Sequence, residues 1–128
     1  MIALSDYKDL SPAQRVAHLV FQYDSEVLNG GHLQYFENVG TSRVEETLSS
    51  LEVMGAHHQR DILAETVAIY RKVNPEESKV QSVEEFVELA LEGTYSEFDN
   101  RYYACNPRIQ ELLEAYLQAH FDEFIELL

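Results

Sequence analysis

At 128 residues and 45% apolar content, the chain can bury one hydrophobic core, and it is too apolar for wholesale disorder. Its 23 acids against 9 Lys and Arg give a net charge of −14, which argues against direct binding to nucleic acid or an anionic membrane and favours basic protein partners. The single Cys105 excludes an intrachain disulfide, and no apolar run approaches the ~18 residues of a membrane span.

The residues at the N-terminus, Met1 to Asp6, meet acid at once and lack the basic-then-apolar pattern of a secretory signal. A reducing, cytoplasmic setting is the expectation. The acidity is lopsided: residues 1–73 hold 10 acids and 6 bases (net −4), whereas residues 74–128 hold 13 acids and 3 bases (net −10). Acidity of this kind also keeps a cytosolic protein soluble, so charge alone does not assign a function.

In chain order, Ser11-Pro12-Ala13-Gln14 is a capping box with proline at the first helical position. Val16, Leu19, Val20, Tyr23 and Val27 follow at helical spacing, and Asn29-Gly30-Gly31 is expected to end that helix. A short helix through Leu33, Tyr35 and Phe36 is expected to close near Gly40. Ser42-Arg43-Val44-Glu45 reads as a second capping box, opening a helix with Val44, Leu48, Leu51 and Met54 inward and Gly55 at its end. The next helix is expected from about His57 to Val73, with Arg71 and Lys72 in its last turn, where the helix dipole favours cations.

Asn74-Pro75 is the clearest break, read as a loop within a single domain spanning residues 1–128. Ser82-Val83-Glu84-Glu85 predicts a further helix ending at Gly93. A short helix follows around Tyr95, Phe98, Tyr102 and Tyr103. Asn106-Pro107 is expected to start the last helix, whose stripe runs through Ile109, Leu112, Leu113, Tyr116, Leu117, Phe121, Phe124, Ile125 and Leu128. No segment alternates at period two. The expectation is an all-α, single compact domain of six or seven helices.

No residue set reads as catalytic, and no cofactor is implied. His57 with Asp61, and His58 with Glu65, share helical spacing, but neither reaches the three or four ligands of a zinc site, so no metal is expected. Cys105 precedes Asn106-Pro107, near a helix N-terminus that would lower a thiol pKa, yet no His or Asp is tied to it by spacing. Glu26 with Glu37 or Asp99 are candidates for a carboxylate pair whose proximity sequence does not fix. The polar residues around the glycines, Glu26, Asn29, Gln34 and Asn38, suit backbone groups freed where two helices meet. A ligand pocket at Asn29–Gln34, using His32 and Glu26, is the alternative for the same stretch.

The run Glu26-x-x-Asn29-Gly30-Gly31-x-x-Gln34-Tyr35-Phe36-x-Asn38, followed by Gly40, resembles the signature of the DNA-mimic-protein C-terminal-domain-like family, a bacterial family otherwise without assigned function. Leu51 to Ala56, and Phe98-Asp99-x-x-Tyr102-Tyr103, fit the same pattern, and together the three stretches cover most of the chain. The resemblance implies an all-helical fold and, for the member that names the family, mimicry of DNA charge to occupy a DNA-binding protein. His32 stands where a larger apolar residue is expected.

The leading expectation is therefore a non-enzymatic acidic domain that binds a basic partner, either as a DNA mimic or as an immunity-type inhibitor. Whether it acts as monomer or homodimer is left open. The expected working surface is Glu84, Glu85, Glu88 and Glu92 on one helix with Glu111 and Glu114 on the next, accompanied by Asp122, Glu123 and Glu126. Carboxylates four apart on a helix are about 6 Å apart along its axis, between one and two of the ~3.4 Å phosphate steps of a DNA strand. The alternative is a small enzyme or ligand-binding domain built at the glycine junction.

Overall fold

A computed structural model describes residues 10–73 and 95–121. These residues form five helices: α1 (Pro12–Val39), α2 (Val44–Met54), α3 (His57–Val73), α4 (Ser96–Tyr103) and α5 (Ile109–Ala119). No strand occurs among the described residues, so the fold class is all-α. Five rather than six or seven helices has two causes. The segments on either side of Gly31 form one bent helix, and the helix expected over Ser82–Gly93 lies outside the described residues, as does the break at Asn74-Pro75.

Ser11 starts α1 as its capping box predicts. Its Oγ accepts from the Gln14 N–H at 3.2 Å, while Gln14 Oε1 accepts from the Ser11 N–H at 2.8 Å. Two of the donors that every helix N-terminus leaves unpaired are thereby met. Val20, Tyr23 and Val27 bury one face of α1, and Tyr35 and Phe36 continue that face beyond the bend. Leu19 turns to a small satellite cluster with Leu10.

The second capping box is not formed. Helix α2 begins at Val44, with Arg43 at the cap position and no side-chain cap hydrogen bond, and Ser42 is exposed. The first turn is tied down from outside instead: Arg71 of α3 donates to the Thr41 carbonyl at 3.0 Å and to Glu45 at 2.7 Å. Gly55 closes α2 in the left-handed region (φ 87, ψ 12), and the Ala56 N–H reaches back to the Leu51 carbonyl at 2.8 Å. That six-to-one bond lets the chain reverse into α3 within two residues.

Helix α3 spans the expected residues and buries Ile62, Leu63, Thr66, Val67 and Tyr70. Tyr70 lies 4.7 Å from Phe36, centroid to centroid, joining α3 to the far segment of α1. Pro107 does not open the last helix. It sits in the preceding turn behind a cis peptide bond, and α5 starts at Ile109. Among the described residues of the stripe only Ile109 is fully buried; Leu112, Leu113, Tyr116 and Leu117 are half-buried, and Phe121, expected inward, is 57% exposed. Helix α5 ends at His120 (φ −117, ψ 29), so Phe121 does not continue its register. Phe124, Ile125 and Leu128 lie outside the described residues. One core cluster unites residues from all five helices.

Candidate functional site

The bend in α1 is built by Gly31. Its φ of 84 and ψ of 180 fall in a region essentially restricted to glycine. Leaving the helix for one residue frees the N–H of His32, the first donor of the segment that follows. Asp99 of α4, 67 positions away in sequence, accepts that N–H at 3.0 Å. A carboxylate at this point also suits the positive end of the restarting helix. Gly30 is an ordinary partner to this event: its φ is not positive, and it is exposed.

His32 is fully buried, and both ring nitrogens are engaged. Nδ1 lies 2.6 Å from Asp99 Oδ1, and Nε2 lies 2.7 Å from the Tyr23 hydroxyl. Asp99 only accepts, so the proton is on Nδ1; the Tyr23 hydroxyl then donates to Nε2. Burial above all pushes the Tyr23 pKa well above its ordinary range, so the phenol keeps that proton. Rings close the site on the remaining sides, with Tyr35 4.9 Å and Tyr102 5.4 Å from Tyr23, both edge-on. The Tyr23–His32–Asp99 chain has the form of a proton relay, but Tyr23 is fully buried and Asp99 only 20% exposed. What these contacts do in the fold is tie Asp99 of α4 to both segments of α1.

Beside it, Tyr102 donates to Asp24 Oδ1 at 2.5 Å, and Tyr103 donates to the Val27 carbonyl at 3.2 Å. Burial raises the Asp24 pKa, outweighing the Tyr102 hydrogen bond that lowers it. Thus Asp99, Tyr102 and Tyr103, all from the short α4, fasten that helix across the bend. The stretches Glu26–Gly40 and Phe98–Tyr103 meet in space.

Glu26 spans the bend from outside. One carboxylate oxygen, Oε1, accepts from the Gln34 and Asn38 amides, each at 3.0 Å, linking residues before and after Gly31. Asn29 is exposed. The three carboxylates raised as potential pairs are therefore separated by partner: Glu26 with the amides, Asp99 with His32, and Glu37 with the Tyr70 hydroxyl at 2.6 Å. The polar groups expected to form a pocket at Asn29–Gln34 are largely spent on one another.

Other chemical candidates are placed as follows. Among the described residues, no group of three or more His, Cys, Asp and Glu is set to hold a metal ion. His57 faces Glu52 at 3.4 Å, Asp61 pairs with Arg60 at 2.6 Å, and Glu65 pairs with Arg101 at 3.1 Å. Cys105 departs from expectation: burial pushes its thiol pKa up rather than down, and its Sγ lies 3.4 Å from the Arg101 carbonyl at the end of α4. Glu111 and Glu114 are exposed on α5, and among the described residues no cation pairs with either. Glu84, Glu85, Glu88, Glu92, Asp122, Glu123 and Glu126 lie outside the described residues. No helix of the described residues is long and apolar enough to cross a membrane.

The model of the DMP19-like protein family matches residues 8–120, nearly the whole chain. The chain belongs to the DMP19-like family. The resemblance to a DNA-mimic protein family thus holds at the level of the family. No curated protein and no solved structure gives a significant match. In this DMP19-like chain the glycine stretch makes the joint between two helical segments.

Sequence reasoning gives Tyr23 and Asp24 no role in this site, and it raises Asp99 only as a carboxylate partner for Glu26. Tyr23 read only as core, and Asp24 lay inside an amphipathic helix. A signal existed for Asp99: it is polar within an aromatic-rich run, while His32 is polar at a position expected to be apolar. Two polar intrusions in two apolar stretches suggest each other as partners.

Proposed function

We propose that the protein is a non-enzymatic acidic domain that occupies a basic, DNA-binding protein as a DNA mimic. Membership of the DMP19-like family in a chain of net charge −14 carries this reading. The working surface is the acidic array of Glu84, Glu85, Glu88, Glu92, Glu111 and Glu114. Support within the described residues comes from the distribution of bases. Arg60, Arg71 and Arg101 neutralise Glu52, Asp61, Glu45 and Glu65, whereas Glu111 and Glu114 keep their charge outward. An unneutralised acidic surface steers a basic partner and excludes DNA from both proteins. Inhibition of a basic toxic protein by an immunity-type complex uses the same surface chemistry and belongs to the same class. The setting is cytoplasmic.

A pocket at Asn29–Gln34 is the weaker reading, because His32 and Glu26 already have their partners there. Affinity capture on the immobilised protein from a lysate of the source cell, eluted by a salt gradient, tests the proposal. The expected result is a basic DNA-binding protein that leaves the column as salt rises and is displaced by added duplex DNA. A captured protein that is indifferent to both salt and DNA would contradict it.

A further inference from the structure

Where α1, α4 and the start of α5 meet over Gln59 of α3 lies a cleft of about 210 Å³, bordered by Asp24, Leu28, Tyr102, Tyr103, Arg108 and Ile109. Neither Glu111 nor Glu114 lines it, and of the Glu26–Gly40 stretch only Leu28 does. Its volume is below the roughly 300–1,000 Å³ of sites for drug-sized ligands, which limits any occupant to a small molecule. Its walls carry opposite charges. Asp24 uses Oδ1 to accept from Tyr102, which leaves Oδ2, and Arg108 is exposed with no ion pair among the described residues. Between them, Leu28 is 58% and Tyr103 45% exposed, a cost for large apolar side chains that a bound apolar group would remove.

We infer that this cleft binds a free α-amino acid with an apolar side chain, its ammonium on Asp24, its carboxylate on Arg108, and its side chain against Leu28 and Tyr103. A purely cationic ligand would meet the Arg108 guanidinium, and a purely anionic one the Asp24 carboxylate; a zwitterion meets both charges with the right sign. Helix α5 begins at the cleft without a side-chain cap, so the N–H groups of its first residues, Ile109 and Gln110, add donors on the Arg108 side. Burial raises the Asp24 pKa, and an ammonium beside it would restore the charged form.

Titration of the full-length protein with L-leucine, N-acetyl-L-leucine and L-leucinamide, followed by amide NMR shifts, tests the inference. L-leucine should bind saturably, with shifts centred on Leu28, Tyr102, Tyr103 and Ile109. Each blocked analogue should bind about tenfold more weakly, the share of one lost charge-assisted hydrogen bond. Arg108→Gln, an exposed change that should leave the fold intact, should abolish the preference for leucine over leucinamide. Asp24→Asn should abolish the preference over N-acetyl-leucine, with a thermal melt confirming that it folds. No saturable shift at tens of millimolar, shifts centred elsewhere, or equal binding of leucine and either blocked analogue would overturn it. None of these results depends on the DNA-mimic reading.

Discussion

At φ 84 and ψ 180, Gly31 occupies backbone space that side chains resist, and a Cβ placed on it would stand 2.5 Å from Asp99 Oδ2. Gly31→Ala should therefore destabilise the fold by about 1–3 kcal/mol, through strain and displacement of the Asp99 cap together. Gly30→Ala should cost less, about the strength of one side-chain hydrogen bond. A Cβ at Gly30 would overlap Gln34 Oε1, so that side chain must swing away and give up its bond to Glu26, but the backbone there has no positive φ and needs no strain. Urea denaturation of the two variants checks the contrast, and equal midpoints would show that the bend does not depend on Gly31. Asp24 gives a pH test at the same scale. Its folded pKa is raised above the usual 3.8, so the folded state binds the extra proton between those two values. The stability this group contributes is fully present below about pH 3.8 and is lost as pH rises through the folded value. Asp24→Asn, whose amide oxygen can still accept from Tyr102, should melt at or above the wild type near neutral pH. That advantage should fade on acidification through the carboxylate range. A variant that melts lower at neutral pH and recovers in acid would reverse the sign and refute the assignment.

Helix α4 is only eight residues long, too short to be stable alone, and holds its place through what it donates and accepts across α1. Asp99→Ala would leave the His32 N–H and the His32 ring proton without partners in a buried site. The expected loss is about 1–3 kcal/mol for each orphaned donor, with faster amide exchange in α4 than in α3. Thermal melts and hydrogen exchange check this, and unchanged exchange in α4 would mean that it is held by apolar packing instead. The helices whose ends are set by nearby residues were legible in sequence: α1 from Ser11 and Gln14, the end of α2 from Gly55, and α3 over its whole length. Ser42 misled because tertiary contacts from Arg71 secure that turn without a cap. Asn29-Gly30-Gly31 read as a helix end, while the structure continues the helix through a one-residue bend. What holds that bend is Asp99, 67 residues distant, and no local pattern reports such a pairing.

Across the whole molecule, charge and fold are assigned to different residues. The family stretch serves the core and the bend: Tyr35 and Phe36 are buried, Glu26 binds Gln34 and Asn38, and His32 binds Tyr23 and Asp99. The acids proposed to meet a partner are outward on α5 or lie outside the described residues. Replacing Glu88, Glu92, Glu111 and Glu114 by Gln should leave the melting temperature unchanged or slightly raised, since exposed acids contribute little to stability and repel one another. The same variant should bind a captured partner more weakly and with a flatter dependence on salt, because screening acts over about 8 Å at physiological ionic strength. Unchanged affinity would leave the acidity as a solubility property. The central claim, that the protein takes the place of DNA on a basic partner, is tested most directly by competition. With a captured DNA-binding partner held on a labelled duplex, added protein should release the duplex in a saturable, salt-sensitive manner, and the four-Gln variant should release less. Formation of a ternary complex, with duplex and protein bound to the partner together, would contradict it.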